Sequence, residues 1–122
     1  MPYVIINKTR YIGTASPSSL NAETNVVSIS PQSDDYVVEG YINLSQLQTG
    51  DYVTIREYIA LDGTNYYTYI TASYAAPVAD PIIRFHSKTL PYNAAYKVTV
   101  TQTAGTPRSF PYSFILMNLG LI

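Results

Sequence analysis

Tyr52-Val53-Thr54-Ile55-Arg56-Glu57-Tyr58-Ile59-Ala60-Leu61 is the stretch that decides the fold class. Val53, Ile55, Ile59 and Leu61 share one side of an extended chain, and Tyr52, Thr54, Arg56 and Tyr58 share the other. That is the two-residue period of a half-buried strand. Asp62-Gly63 follows, a dipeptide suited to the central positions of a type I′ turn, where φ is positive. A second strand, Thr64–Tyr74, then returns. Across a two-residue turn Leu61 would face Thr64, Ile59 would face Tyr66 and Ile55 would face Ile70. The aliphatic side, expected to be core, then meets its own kind.

Working outward, the same alternation predicts strands at about Tyr36–Leu44, Pro81–His86, Tyr96–Thr103 and Phe110–Met117. Tyr96, Val98, Val100 and Gln102 alternate with Lys97, Thr99 and Thr101. Gly40 inside its strand predicts a bulge. Pro77, Pro81 and Pro91 suit an edge position for Pro81–His86. Ser45–Gly50 reads as one helical turn or a tight crossing loop. Helical spacing of apolar residues is missing, and 13 Tyr favour strands. In the first 34 residues, Tyr3–Ile6 and Asn25–Ile29 flank a polar stretch from Gly13 to Thr24. This region reads as one or two strands with a long loop, or as an arm ordered by a neighbour. The expected fold is one all-β domain over residues 1–122, an antiparallel β-sandwich of about seven or eight strands. Its topology is jelly-roll or immunoglobulin-like, which the pattern does not separate. The apolar run Phe114–Ile122 is expected to be buried.

Composition narrows the chemistry. The chain has no cysteine, which removes disulfides, thiolate nucleophiles and Cys-based metal sites. One histidine, His86, leaves little for acid–base work near neutral pH. Net charge is −1, so no basic footprint for nucleic acid exists. Only 12% of residues are charged, about half the usual share, so hydroxyl-bearing Ser, Thr and Tyr must cover much of the surface. Met1–Ile6 shows no secretory signal, and no apolar stretch reaches the ~18 residues of a membrane-spanning helix. No membrane insertion is expected, and export or assembly would proceed without a signal peptide.

Candidate catalytic groups are sparse. A triad of His86, Asp80 and a serine lacks any nucleophile-elbow sequence. Glu39 and Glu57 are the strand-borne carboxylates that could serve glycoside hydrolysis. Glu57 falls on the Ile55 side, so if buried it needs a cation such as Arg84 or Lys97; a structural ion pair or a solvated glutamate is the better reading. Asp34-Asp35 lacks the spacing of a calcium loop and reads as a solvated turn. Asn7-Lys8-Thr9 and Asn43-Leu44-Ser45 match the N-glycosylation pattern, which is unremarkable at this composition. Catalytic, metal and cofactor residues are therefore expected to be none.

Tyrosine is the informative residue. Tyr52, Tyr58, Tyr67 and Tyr69 are expected on the outer face of the hairpin, with only Arg56 among them. Tyr offers large area at low rotamer cost with a polar tip, which suits a subunit interface. Two other readings are that a second sheet or the N-terminal segment covers this face, or that the rings stack on sugars.

The run Gly50–Tyr58, then Asp62-Gly63, then Tyr96–Thr106 and Phe110-Pro111-Tyr112-Ser113-Phe114, resembles small all-β proteins of phages and archaeal viruses, over roughly the C-terminal two thirds. The resemblance is one of texture and segment order and carries no functional motif. It implies a virion structural protein of capsid, decoration or turret type. Low charge and the lack of a catalytic constellation point the same way. The expected function is a non-enzymatic subunit of a virus particle, located in the virion or a similar extracellular assembly. Its expected partners are copies of itself and other virion proteins. The alternative is a carbohydrate-binding sandwich for a host or substrate glycan.

Overall fold

Alternating β-branched and aromatic residues draw the chain into strands almost throughout. The computed structural model describes residues 3–121. Its strands are β1 (Tyr3–Ala15), β2 (Thr24–Ile29), β3 (Tyr36–Asn43), β4 (Tyr52–Ala60), β5 (Tyr67–Ala75), β6 (Ile82–Leu90), β7 (Ala95–Ala104) and β8 (Phe110–Leu121). No helix occurs among the described residues. The first sheet has the order β1-β8-β3-β6 and the second β2-β7-β4-β5, with antiparallel neighbours throughout. This is the β-sandwich expected from the alternation.

The inner faces meet over one continuous core that includes Ile29, Tyr36, Val38, Ile42, Val53, Val98, Val100, Phe110 and Phe114. β7 follows the sequence reading residue by residue, with Tyr96, Val98, Val100 and Gln102 all inward and fully buried. The Gly40 bulge is present, at a register shift between Val38 and Gly40 where β3 meets β6. β6 is an edge strand, as its prolines suggested. Ser45–Gly50 is not a helical turn but part of two tight turns, closed by Leu47 N–H to Leu44 C=O and Asp51 N–H to Gln48 C=O. The first 34 residues hold two strands in different sheets. β1 runs on to Ala15, well past the Tyr3–Ile6 segment that sequence marked.

The C-terminal run behaves as a strand with two sides. β8 lies between β1 and β3, with Phe114, Leu116 and Asn118 buried; Ile115, Met117 and Leu119 are only half-buried, and Leu121 is exposed. The expectation of uniform burial is corrected for these residues, and Ile122 lies outside the described residues.

The β4–β5 hairpin departs furthest from expectation. Ile59 pairs with Tyr67, not Tyr66, and Ile55 with Ala72, not Ile70. The connection spans residues 61–66 in place of a two-residue turn. Gly63 N–H donates to Ala60 C=O, so Gly63 is the last residue of the turn, with φ +80°. The Asp62 carboxylate accepts the N–H groups of Thr64 and Asn65 and the Asn65 side-chain amide, which holds the wider loop. A bulge at Tyr69 then shifts the register again between Glu57 and Tyr58. Leu61 is 71% exposed in the turn and Ile70 42% exposed on β5, so neither belongs to the core.

Candidate interaction surface

Bulge and register together decide where the four tyrosines lie. Tyr58 pairs with Thr68 and Lys97 on the outer face of the second sheet. Tyr52 shares that face at the far end of β4, opposite Ala75. Tyr67 pairs with Ile59 and therefore sits on the opposite, inner side, beyond the cover of the first sheet and 75% exposed. Tyr69 is the extra residue of the bulge, 52% exposed. The single aromatic face expected from strict alternation is thus divided. Tyr67 and Tyr69 belong to the edge strand β5, and Tyr52 and Tyr58 to its neighbour β4 in the same sheet.

Tyr58 is also partly covered. Its hydroxyl donates to Glu23 at 2.5 Å, and Thr99 donates to the same oxygen at 2.6 Å. Lys97 stands over its ring at 5.0 Å. The bonds from Thr99 and Tyr58 hold the Glu23 carboxyl below its usual range, and the bond to Glu23 raises the Tyr58 hydroxyl. The segment before β2 therefore touches the outer face of the second sheet at this point.

The charged residues inside the sandwich are committed to structure. Glu57 is buried on the Ile55 side, as expected, but its cation is Lys88 of β6, at 3.1 Å, and not Arg84 or Lys97. Tyr96 donates to the same carboxylate at 2.6 Å and lies 5.0 Å beneath the Lys88 ammonium. Burial, then the charge of Glu57, pushes the Tyr96 hydroxyl far up; burial pushes Tyr36 up to about 12. Tyr36 donates to Ala94 C=O at 2.6 Å nearby.

A second cluster, which sequence reasoning missed, ties two loops together at one end. Asp51 is 3% exposed and accepts Arg108 Nε at 2.7 Å and the N–H groups of Gln48 and Thr106. The Arg108 bond, opposed by burial and aided by these N–H groups, holds the carboxyl below its ordinary range. Gln102 completes the clamp with bonds to Ala104 C=O, Thr106 C=O and Arg108 N–H. Gly105 has φ +86° and packs on Asp51 so closely that a Cβ would fall 1.8 Å from Oδ1. Spacing gives no hint of this, because Asp51 and Arg108 are far apart in the chain.

The remaining candidates stay separate. His86 and Asp80 are both exposed. Asp35 accepts Tyr92 N–H at 2.8 Å, and Asn43 accepts Ser45 N–H at 2.8 Å, each stabilising a loop. No cluster of three metal-ligating side chains exists among the described residues. A shallow depression of about 380 Å³ lies between the hairpin loop and β5, lined by Ile59, Leu61, Asp62, Asn65, Tyr67 and Tyr69. The outer face of the first sheet also carries apolar residues, Ile115 and Met117 with exposed Ile5, Ile12 and Tyr41, interleaved with Lys8, Arg10 and Glu39. Their signal was the alternation of the C-terminal run, which sends every second apolar residue outward.

No protein-family model matches the chain, and no curated protein does. Among solved structures, it is similar to the VP2 subviral particle of infectious bursal disease virus, at 15% identity and TM-score 0.49 over 93% of this chain. It is similar also to T=1 particles derived from the same virus, at 14% identity and TM-score 0.50 over 96%. The source is not a phage or an archaeal virus, to which the sequence texture pointed. The chain spans about a third of the length of these chains, 33% and 31%. At such identity the second likeness, to the T=1 particles, is one of fold: the sandwich recurs in a viral particle protein.

Proposed function

We propose that the chain is a non-enzymatic structural subunit of a virus particle that works by association with itself and with other virion proteins. The observation that carries this reading is the overlay of 96% of the chain, at TM-score 0.50, on a chain from T=1 viral particles. The strand order supports a jelly-roll topology: β1 pairs with β8, β2 with β7, β3 with β6 and β4 with β5. A structural role is also consistent with Glu57 and Asp51, the buried carboxylates, each being held in an ion pair rather than facing a cleft. Tyr52, Tyr58, Tyr67 and Tyr69 remain the proposed contact residues, with the two on β5 the most accessible. The test is particle binding: purified protein is mixed with virions or coexpressed particle proteins and followed by sedimentation and electron microscopy. Incorporation into particles or a regular lattice is expected. A protein that neither assembles nor binds particles overturns the reading.

A second reading has one observation in its favour. The depression beside Tyr67 and Tyr69 combines exposed rings with the polar groups of Asp62 and Asn65, the mixture that sugar recognition uses. The Asp62 carboxyl, held down to about 2 chiefly by the N–H groups of Asn65 and Thr64, stays charged. A definite ligand on a glycan array, lost in Tyr67→Ser, would favour this reading over the structural one.

A further inference from the structure

The four sheet edges are treated differently. β1 carries Lys8 and Arg10 and bulges between Ile5 and Asn7. β6 carries Arg84 and His86 and turns Lys88 inward to Glu57. β2 is six residues long and bulged. Charges, bulges, inward lysines and shortness are the devices that keep open edges from pairing with other chains. β5 reads Tyr67-Thr68-Tyr69-Ile70-Thr71-Ala72-Ser73-Tyr74-Ala75, with no charge, proline or glycine in 9 residues. Its bulge lies near the start, and Ile70–Ala75 pairs without interruption with Glu57–Tyr52. The other side of β5 has no strand partner among the described residues.

From this edge we infer that two copies of the chain associate by pairing their β5 strands antiparallel, so that two second sheets join into one eight-stranded sheet. The inference rests on the self-association reading above and names its surface. Symmetry narrows the register. Directly opposite residues point to the same side of a sheet, so a two-fold axis through the pair must pass a residue and its own copy. An axis at Ala72 uses the regular segment best. It sets Ile70 against Tyr74 of the second copy, Thr71 against Ser73, and Ala72 against Ala72. A branched aliphatic beside an aromatic, and a threonine beside a serine, are pairings that stabilise antiparallel strands. The small alanines leave the axis uncrowded. Ile70, left open on the inner side where the first sheet does not reach, gains its cover from Tyr74. The same self-complementary register favours a second copy over a foreign strand, and no charge on β5 opposes it.

The chain has no cysteine, so Ala72→Cys introduces one thiol, which the axis sets against its own copy. Oxidation of the full-length protein at micromolar concentration is expected to give a disulfide-linked dimer for Ala72→Cys. Ser113→Cys, on the outward side of the first sheet, is expected to give none. Thr71→Glu/Ser73→Glu sets like charges opposite each other and should weaken self-association about tenfold by sedimentation, whereas Thr71→Glu/Ser73→Lys should preserve it. A strict monomer, a crosslink through Ser113→Cys in place of Ala72→Cys, or equal association by the two double variants overturns the β5 pairing. Particle binding by the unmodified protein separates this inference from the function it rests on. Binding without these β5 effects leaves the virion reading standing and removes the β5 pairing. A dimer linked through Ala72→Cys that never enters particles does the reverse.

Discussion

β5 and β6 occupy equivalent places, each nine residues long and each at the far edge of a four-stranded sheet. β6 carries Arg84, His86 and Lys88, and its lysine reaches into the core to meet Glu57. β5 carries no charge and exposes all its residues except Ala72 and Tyr74, which are half-buried. The difference shows that one edge draws a charge of its own into the core while the other carries none. Edge position alone says little about this.

That contrast sets the scale of the expected mutational effects. The largest belongs to β6. Lys88→Met leaves Glu57 buried without its cation and should cost about 3–5 kcal/mol in urea unfolding. Adding Glu57→Gln, which keeps an acceptor for Tyr96, should recover most of that loss. Equal stability of Lys88→Met and the unmodified protein would break the comparison, since Glu57 would then not depend on the lysine that β6 turns inward.

The next effect sits in the loop clamp. Asp51→Asn weakens charge-assisted bonds to Arg108 and the Gln48 and Thr106 amides, at about 1.5–3 kcal/mol. Its acid dependence has a defined sign. The folded Asp51 pKa lies below its unfolded value, so the native state binds fewer protons between the two. The contribution is therefore whole above about pH 4 and fades as pH falls through the folded pKa. Unfolding curves from pH 6 to pH 2 should steepen less with acid in Asp51→Asn, and identical slopes would count against the clamp.

Smaller again is Gly63→Val, at about 1–2 kcal/mol by thermal unfolding. The φ of +80° strains a β-branched residue, and a Cβ would lie 2.6 Å from Asn93 O. An unchanged melting temperature would contradict the turn. Smallest is the folding stability of Thr71→Glu/Ser73→Lys, expected within about 0.5 kcal/mol of the unmodified protein at dilute, monomeric concentration. A larger loss would mean that β5 is more tightly bound into its sheet than its exposure indicates.

How much was legible follows from where each signal resides. Strand alternation reports burial against an opposing sheet, so β7, with neighbours on both sides, read correctly down to Gln102. The hairpin register failed because Asp62 closes a wider loop with its side chain and because Tyr69 bulges, and neither leaves a trace in period-two patterning. That failure divided the tyrosine surface. Glu57 could be read as buried and in need of a cation, but its partner Lys88 comes from the opposite sheet. Asp51 and Arg108 meet only because two loops share one end of the sandwich. The edge position of β6 could be read from its flanking prolines, whereas that of β5 was hidden, because strand order is a property of the assembled sheet.

One consequence of the first sheet concerns time. β8, the last of the eight described strands in chain order, lies between β1 and β3 and pairs with both. Until it emerges from the ribosome, β1 has no hydrogen-bonded neighbour and β3 lacks one of its two. The second sheet can pair β4 with β5 and then with β7 before β8 is made, but the first must wait for β8. Closure of the sandwich is thus a late, long-range step, and a nascent chain stalled before Phe110 would hold its apolar inner face open to chaperones or to other unfinished copies.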